Sequence, residues 1–338
     1  MKKNKTEVTA LNGKNNINSI SYTDAANFLK NNDNFYILTH LNPDGDAMGS
    51  GFALCNVLRS MGKMANVLCS DPFPKRYEYL YEGYEPMKFT PRTIVSVDLA
   101  DTKLFGKELA AYTEYVDLAI DHHESNTGYA ARTVLNGSAS AACEVLYEII
   151  TAGELPLDRK TAIALYTGLA TDTGCFRFEN TTARAHNITA ELMKFNIPYA
   201  KLNRELFEIK SKARLKVEQY VVNSIETYLD DKCAMIAITQ ETVEETGLKW
   251  EEFEGLASVP MQIEGIEVGV TIKEKEPGKY KVSMRSTEAA NVSEICGKLG
   301  GGGHARAAGC TVEGDLRQVK MRVLSAVAAA LGFDLWLS

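Results

Sequence analysis

Short apolar, β-rich runs alternating with helical stretches constrain the first half of this 338-residue chain more than any other feature. Phe35–Thr39 (FYILT), Ala65–Cys69 (ANVLC), Thr93–Val97 (TIVSV) and Val116–Ile120 (VDLAI) read as strands. Helical spacing follows from about Ala47 to Met61, and again near Ser140–Ala152, Arg159–Ala170 and Thr182–Phe195. Apolar strands separated by helices predict an α/β unit with a parallel sheet covered on both faces. Open sheets of that kind bind ligands beyond the C-terminal ends of their strands.

That edge is where the chain places its acids and imidazoles. His40, Asp44 and Asp46 (HLNPDGD) follow the first run, Asp98 ends TIVSV, and Asp121, His122 and His123 follow VDLAI. A further acid, Asp172, lies in GLATDTGCF after a helical segment. Each piece has an ordinary reading: Asp-Gly-Asp is a common turn, Asp46 alone would cap the next helix, and Asp98 alone would be a strand-end acid. Together they repel unless cations lie between them. Mixed carboxylate and imidazole donors suit Mn²⁺, Fe²⁺, Co²⁺ or Zn²⁺ better than Ca²⁺ or Mg²⁺. The donors suffice for two ions, an arrangement that generates a hydroxide nucleophile and clamps both oxygens of a phosphoryl displacement.

From about residue 200 to 230 there is no Gly or Pro, and Leu202, Leu206, Ile209, Val217, Val221 and Ile225 recur at helical spacing. The segment reads as one or two long connecting helices. A smaller α+β unit follows, with strands expected at Cys233–Thr239, Ile266–Lys273 and Lys279–Arg285, the last two joined by a Pro277-Gly278 turn. A helix near Val292–Leu299, a glycine run, a short strand and a last helix near Leu316–Leu331 complete it. The run Gly300–Gly303 ends at His304, and repeated glycines let backbone N–H groups approach an anion. Arg285 shares the polar face of its strand with Lys281 and Ser283, which suits a phosphate or carboxylate clamp. A tight helix–strand connection beside a surface arginine accounts for the same residues structurally.

Composition narrows the partners. A chain that is 45% hydrophobic and 24% charged reads as globular. A net charge of −7 lacks the basic footprint of a protein that grips long duplexes. No apolar run approaches the roughly 20 residues of a membrane span, and the first residues, basic and then polar, have no apolar signal core. The expectation is a cytoplasmic protein with a polar tail over residues 1–19. The seven cysteines are scattered without a CxxC pair, which argues against a disulfide framework or a zinc knuckle.

The ordered set THLNPDGDAMGS, VDLAD, DHHESN, GLATDTG and GGGHARAAG resembles the DHH–DHHA1 phosphoesterases. It is most similar to their short members, the oligoribonuclease and 3′-phosphoadenosine-5′-phosphate phosphatase group called nanoRNases. The resemblance implies a DHH domain over 20–200 with a parallel sheet flanked by helices, a helical linker over 201–230 and a mixed α+β DHHA1 domain over 231–338. It implies one metal on His40 and Asp44 and another on Asp46, His122 and Asp172, with Asp98 bridging; Asp101 is a rival bridge. His123 would face the substrate phosphate, with Asp121 orienting an imidazole. Arg285, Ser286, Gly301, Gly302, Gly303 and His304 would hold the far end of a nucleotide lying in a cleft between the domains.

The implied function is hydrolysis of short oligoribonucleotides to 5′-mononucleotides, or of 3′-phosphoadenosine-5′-phosphate to AMP, with two Mn²⁺ ions. The implied partners are short single strands or small nucleotides, not long duplexes or membranes, and a homodimer is among the assemblies allowed. Turnover of cyclic di-AMP or its linear product pApA is the enzymatic alternative, and a nucleotide-binding sensor is the non-enzymatic one.

Overall fold

The structure, a computed structural model, describes residues 17–334. The tail expected over residues 1–19 lies outside that range except for its end, which is not frayed: Asn18 Nδ2 donates to Ala131 O at 2.7 Å and Ser19 bridges to Thr133. The chain divides after Ile209 into two compact units.

The first unit runs α1 (Tyr22–Asn31), β1 (Phe35–Leu38), α2 (Gly45–Ser60), β2 (Ala65–Leu68), α3 (Glu78–Tyr81), β3 (Thr93–Val97), α4 (Gly106–Leu109), β4 (Leu118–Asp121), β5 (Thr133–Leu135), α5 (Ala142–Ala152), α6 (Arg159–Asp172), α7 (Ala183–Met193) and α8 (Tyr199–Asn203). Its five strands lie in the order β2-β1-β3-β4-β5, all parallel. Side chains alternate across the pleat. Phe35, Ile37, Val95, Val97, Leu118 and Ile120 pack with α1, α2, α5 and α6. Leu38, Ile94 and Ala119 face the other way, onto Phe105 and Leu109. Both faces are covered as the apolar runs require, but the second is closed by α4 and short 3₁₀ turns rather than by long helices.

The strand order has a consequence for the site. From β1 the chain crosses to β2 on one side and then returns past β1 to β3 on the other. This leaves a crevice beyond the C-terminal ends of β1 and β3, the position at which open α/β sheets bind ligands.

The expected long connector is interrupted. A π-helical turn at Arg204–Glu208 follows α8, and Ile209 is extended. The Ser211 side chain then accepts the Arg214 N–H and caps a new helix, α9 (Lys212–Ser224). The last part of the segment is a strand, β6 (Glu226–Tyr228).

The second unit continues with β7 (Cys233–Ile238), α10 (Gln240–Thr246), β8 (Val268–Glu276), β9 (Lys279–Ser286), α11 (Val292–Lys298), β10 (Gly302–His304), β11 (Ala307–Glu313) and α12 (Leu316–Leu331). Its six strands lie in the order β10-β11-β9-β8-β7-β6, with β7 and β8 parallel and the other pairs antiparallel. Tyr280, Val282 and Met284 of β9 pack with α11 and α12 through Val292, Ile295, Val319, Val323 and Val327. Among the described residues no helix is long and apolar enough to cross a membrane.

Candidate metal centre

The site starts from three strand ends. His40 lies two residues beyond β1, Asp98 directly follows β3, and Asp121 is the last residue of β4. Asp98 has φ of 53°, a left-handed conformation that aspartate tolerates better than most side chains. This turn helps to aim its carboxylate between two imidazoles. Oδ2 lies 3.6 Å from His40 Nε2, and Oδ1 lies 3.5 Å from His122 Nε2. Asp98 is only 3% exposed, yet its Oδ1 has no hydrogen-bond partner among the described residues.

Around Asp98 the donors fall into three overlapping groups, within each of which the donor atoms lie inside 4.8 Å of one another; besides the two described next, Asp98, His122 and His123 form one, with His123 Nδ1 3.7 Å from Asp98 Oδ1. The first is His40, Asp44 and Asp98; Asp44 Oδ1 is 3.8 Å from His40 Nε2. The second is Asp46, His122 and Asp172; His122 Nε2 is 3.3 Å from Asp172 Oδ2 and 3.9 Å from Asp46 Oδ2. Asp101 is not among them. It caps the 3₁₀ turn Thr102–Phe105 by accepting the Lys103 N–H at 2.9 Å.

Local folding positions each donor. Asp44 caps α2 by accepting the N–H groups of Asp46 and Ala47, at 3.0 and 3.1 Å. Asp46, fully buried in the first turn of α2, serves as the cap of a different helix. Ala141, at the N-terminus of α5, offers no side-chain cap, and Asp46 accepts the N–H groups of Ala142 at 2.5 Å and Cys143 at 3.0 Å. Gly168 of α6 makes room for it, since a Cβ there would come within 2.4 Å of Asp46 Oδ1. Asp172 ends α6.

The imidazoles are held with one nitrogen free. His40 Nδ1 lies 2.7 Å from Leu41 O, and His122 Nδ1 lies 3.3 Å from Ala139 O. A carbonyl can only accept, so Nδ1 carries the proton and Nε2 of the neutral ring offers a lone pair toward the acids. His123 points its Nδ1 at Asp121 Oδ1, 2.8 Å away. Asp121 is fixed in turn by Asn126 Nδ2, 2.6 Å from Oδ2. Asn126 and the two α5 amides belong to the site's machinery, and neither was anticipated from the sequence. Asn126 had a weak signal in DHHESN. The amides had none, because the contact joins residues nearly a hundred positions apart.

The electrostatics show what the cluster lacks. Burial, then the charges of Asp98 and Asp172, raise Asp46 well above the carboxylate range. Burial and Asp98 push Asp172 up to about 7. Burial alone would lower His40, but the carboxylates of Asp44 and Asp98 beside it outweigh that and raise it to about 11. His122 rises to about 10 by the same balance, chiefly through Asp98. Burial works to raise Asp98, but His122 and His40 overcome it and hold the group below its usual value. Hydrogen bonding to Asp121 raises His123. A buried carboxylate oxygen without a donor, two imidazoles with Nε2 turned inward and an excess of acids fit divalent cations.

In the second unit, Arg285 and His304 both pair with Ala307, from opposite sides, so the three stand in a row across β9, β11 and β10 on one face. Arg285 Nη1 donates to Met284 O at 2.9 Å, and Ser286 Oγ donates to Ala290 O at 2.7 Å. The glycine run is not a free cradle. Gly300 N–H donates to Gly297 O, Gly301 N–H donates to Cys296 O, and Gly302 and Gly303 belong to the edge strand β10. Close packing explains a glycine at 301: a Cβ there would lie 2.2 Å from Gly309 O. Among the described residues His186 joins no acid cluster; it stacks on Phe176, while Tyr81 and Tyr84 pack on Phe52 in the core.

Residues 34–169 match the DHH family, N-terminal domain, and residues 231–332 match the DHHA1 domain. The chain is 31% identical over 305 residues to the bifunctional oligoribonuclease and PAP phosphatase NrnA of Thermus thermophilus, covering 88% of this chain and 90% of that one. It is 26% identical to the protein of the same name from Bacillus subtilis, covering 83% and 90%. A crystal structure of an exopolyphosphatase-related protein from Bacteroides fragilis shares the fold, with a TM-score of 0.76 at 22% identity over 92% of this chain and 95% of that one. Both domain matches fall in order along the chain, and the Thermus relative is similar over nearly its full length; the protein belongs to the DHH–DHHA1 family.

Proposed function

We propose that the protein hydrolyses short oligoribonucleotides to 5′-mononucleotides and 3′-phosphoadenosine-5′-phosphate to AMP and phosphate, using two divalent ions, Mn²⁺ by the chemistry of the donors. The observation that carries this reading is Asp98, a buried carboxylate with one oxygen toward each of two imidazoles and no donor on Oδ1. The names of the relatives supply the substrate class.

In this reading His40, Asp44 and Asp98 hold one ion, and Asp46, His122, Asp172 and Asp98 hold the other. When bound, the ions supply a lowered water pKa and positive charge for phosphoester hydrolysis. The chain's own residues do the rest. Asp121 fixes His123 with Nδ1 engaged, so Nε2 is the nitrogen presented to the substrate, where it donates a hydrogen bond or proton to the leaving sugar oxygen. The Ala142 and Cys143 amides keep Asp46 from turning away as the cluster gains and loses charge. Arg285 and His304 bind the distal part of the nucleotide, with Ser286, Gly301, Gly302 and Gly303 shaping the face that carries them. A chain of net charge −7 suits substrates with few phosphates, met by local clamps, and we place it in the cytoplasm.

The test is hydrolysis with Mn²⁺ of an RNA dinucleotide, an RNA five-mer, 3′-phosphoadenosine-5′-phosphate, pApA and cyclic di-AMP. Turnover of the first three, lost in Asp98→Ala, is the expected result. Preference for the last two moves the protein to dinucleotide signalling. Binding of metal and nucleotide without turnover of any makes it a sensor.

A further inference from the structure

The loop after Asp172 is strained and firmly held. Gly174, Cys175 and Phe176 all have positive φ, at 56°, 59° and 63°. Successive left-handed residues that include a cysteine and a phenylalanine are costly and persist only where surrounding contacts impose them. Here Thr173 O accepts the N–H groups of Arg177 and Phe178 at 2.9 and 3.0 Å, and Thr173 Oγ1 accepts that of Phe176 at 3.0 Å. Asn180 Nδ2 then donates to Asp172 O and to Ser140 O, each at 3.1 Å. Ser140 adjoins Ala139, whose carbonyl fixes His122. The loop is thus clamped to the rim that carries His122 and Asp172.

The two phenylalanines of this loop have opposite fates. Phe176 turns inward and stacks on His186, with centroids 5.1 Å apart. Phe178 is 56% exposed and belongs to no core cluster among the described residues. The far edge of its ring rests on Gly174, where a Cβ would come within 2.4 Å of it. Arg177 stands beside it, with Nε donating to the same glycine's carbonyl at 2.6 Å. Apart from Gly174 the ring packs into no core cluster among the described residues, so core packing does not account for a large aromatic there. An exposed aromatic and a neighbouring guanidinium, carried on a loop hydrogen-bonded to the rim of a candidate phosphoester centre, are the equipment that stacks a base and meets a phosphate.

We propose that Phe178 is the platform on which the base beside the scissile phosphate stacks, with Arg177 against a neighbouring phosphate. This rests on the phosphoesterase reading above and assigns its base-recognition residue. Base stacking on an aromatic changes affinity by roughly 5- to 150-fold.

The experiment compares wild type, Phe178→Ala, Phe178→Leu and Phe178→Trp, all with Mn²⁺, on 3′-phosphoadenosine-5′-phosphate and on abasic ribose 3′,5′-bisphosphate. The expected result is a rise in KM of at least about fivefold for the adenosine substrate in the Ala and Leu variants. Phe178→Trp restores it, and the abasic substrate is unaffected. Equal losses on both substrates, or an unchanged KM, overturn the proposal. If wild type turns over neither substrate, the phosphoesterase reading fails separately. Fluorescence of Phe178→Trp titrated with 3′-phosphoadenosine-5′-phosphate then decides: quenching beyond that of wild type supports the platform, and none overturns it.

Discussion

The carboxylate of Asp46, in the first turn of α2, accepts the backbone N–H of Cys143, in the first turn of α5, at 3.0 Å. One side chain therefore caps a helix and faces the candidate ions, and the two roles separate by substitution. Asp46→Ala leaves two buried N–H groups without an acceptor and costs about 1–3 kcal/mol in the metal-free protein. Asp46→Asn keeps an acceptor for only one of the two N–H groups but sheds a charge whose pKa burial, Asp98 and Asp172 already raise, so its metal-free stability falls less than that of the Ala variant. Both variants lose most of the stabilisation by Mn²⁺, which for wild type is about 2.7 kcal/mol at a hundredfold excess over Kd. Thermal melts with chelator and with Mn²⁺ measure this. Full Mn²⁺ stabilisation of the Asn variant would remove Asp46 from the ligand set.

Asp98 faces both donor groups, so its loss disables both. Asp98→Asn keeps a side chain that tolerates the left-handed backbone at this position. The variant is expected to fold and to lose hydrolysis by about two to three orders of magnitude, as removal of a central electrostatic group does. Metal content after gel filtration, with circular dichroism for the fold, separates failed loading from misfolding. Wild-type turnover in this variant would exclude the two-ion reading.

Metal loading should release protons. His40, raised to about 11, and His122, raised to about 10, are charged at pH 7 in the metal-free protein, and Asp172, at about 7, is half protonated. Ligation needs all three bare, and Asp46 with them, so affinity rises between pH 6 and pH 8 and more than two protons leave on full loading. Without metal the sign reverses. The two histidines stabilise the fold fully below their unfolded value of 6.5, and that contribution is lost as pH rises toward about 10 and 11. Calorimetry in buffers of different ionisation enthalpy counts the protons, and a heat independent of buffer would contradict the assignment.

His123 should matter in proportion to how badly the leaving group needs a proton. Its Nδ1 is engaged by Asp121 at 2.8 Å, which leaves Nε2 as the group available to the substrate. His123→Ala is expected to lower kcat on an RNA dinucleotide by about 10²–10⁴-fold. On a p-nitrophenyl phosphodiester, whose leaving group departs as the anion, the loss should be far smaller. Equal losses on both substrates would make His123 a structural or binding residue.

The strand-end part of the site was legible because a parallel sheet gathers the ends of its strands at one edge, wherever they lie in the chain. His40, Asp44, Asp98 and His122 needed only that rule, and Asp172 needed the end of a helix that packs beside them. The capping of α5 by Asp46 was not legible, since local pattern assigns an acid in a first turn to its own helix. The connector was misread because Ser211 breaks it with a cap, which leaves no mark as strong as Gly or Pro. The glycine run suggested a loop because glycine carries no strand propensity, whereas β10 exists because β11 templates it.

That last feature carries a prediction of its own. At Gly301 an added Cβ would lie 2.2 Å from Gly309 O and 2.5 Å from Cys310 Cβ, and the obstructing atoms include backbone that cannot turn aside. Gly301→Ala must push β10 away from β11 or break the hydrogen bond from Gly301 N–H to Cys296 O. Overpacking of this kind costs about 1–3 kcal/mol. The cost falls on the second unit, so hydrogen exchange should quicken in α11, β10 and β11 while Mn²⁺ stoichiometry stays that of wild type. If the row formed by Arg285, Ala307 and His304 holds the distal nucleotide, KM for 3′-phosphoadenosine-5′-phosphate rises with that exchange. Unchanged KM beside loosened strands would show that this face takes no part in holding the substrate.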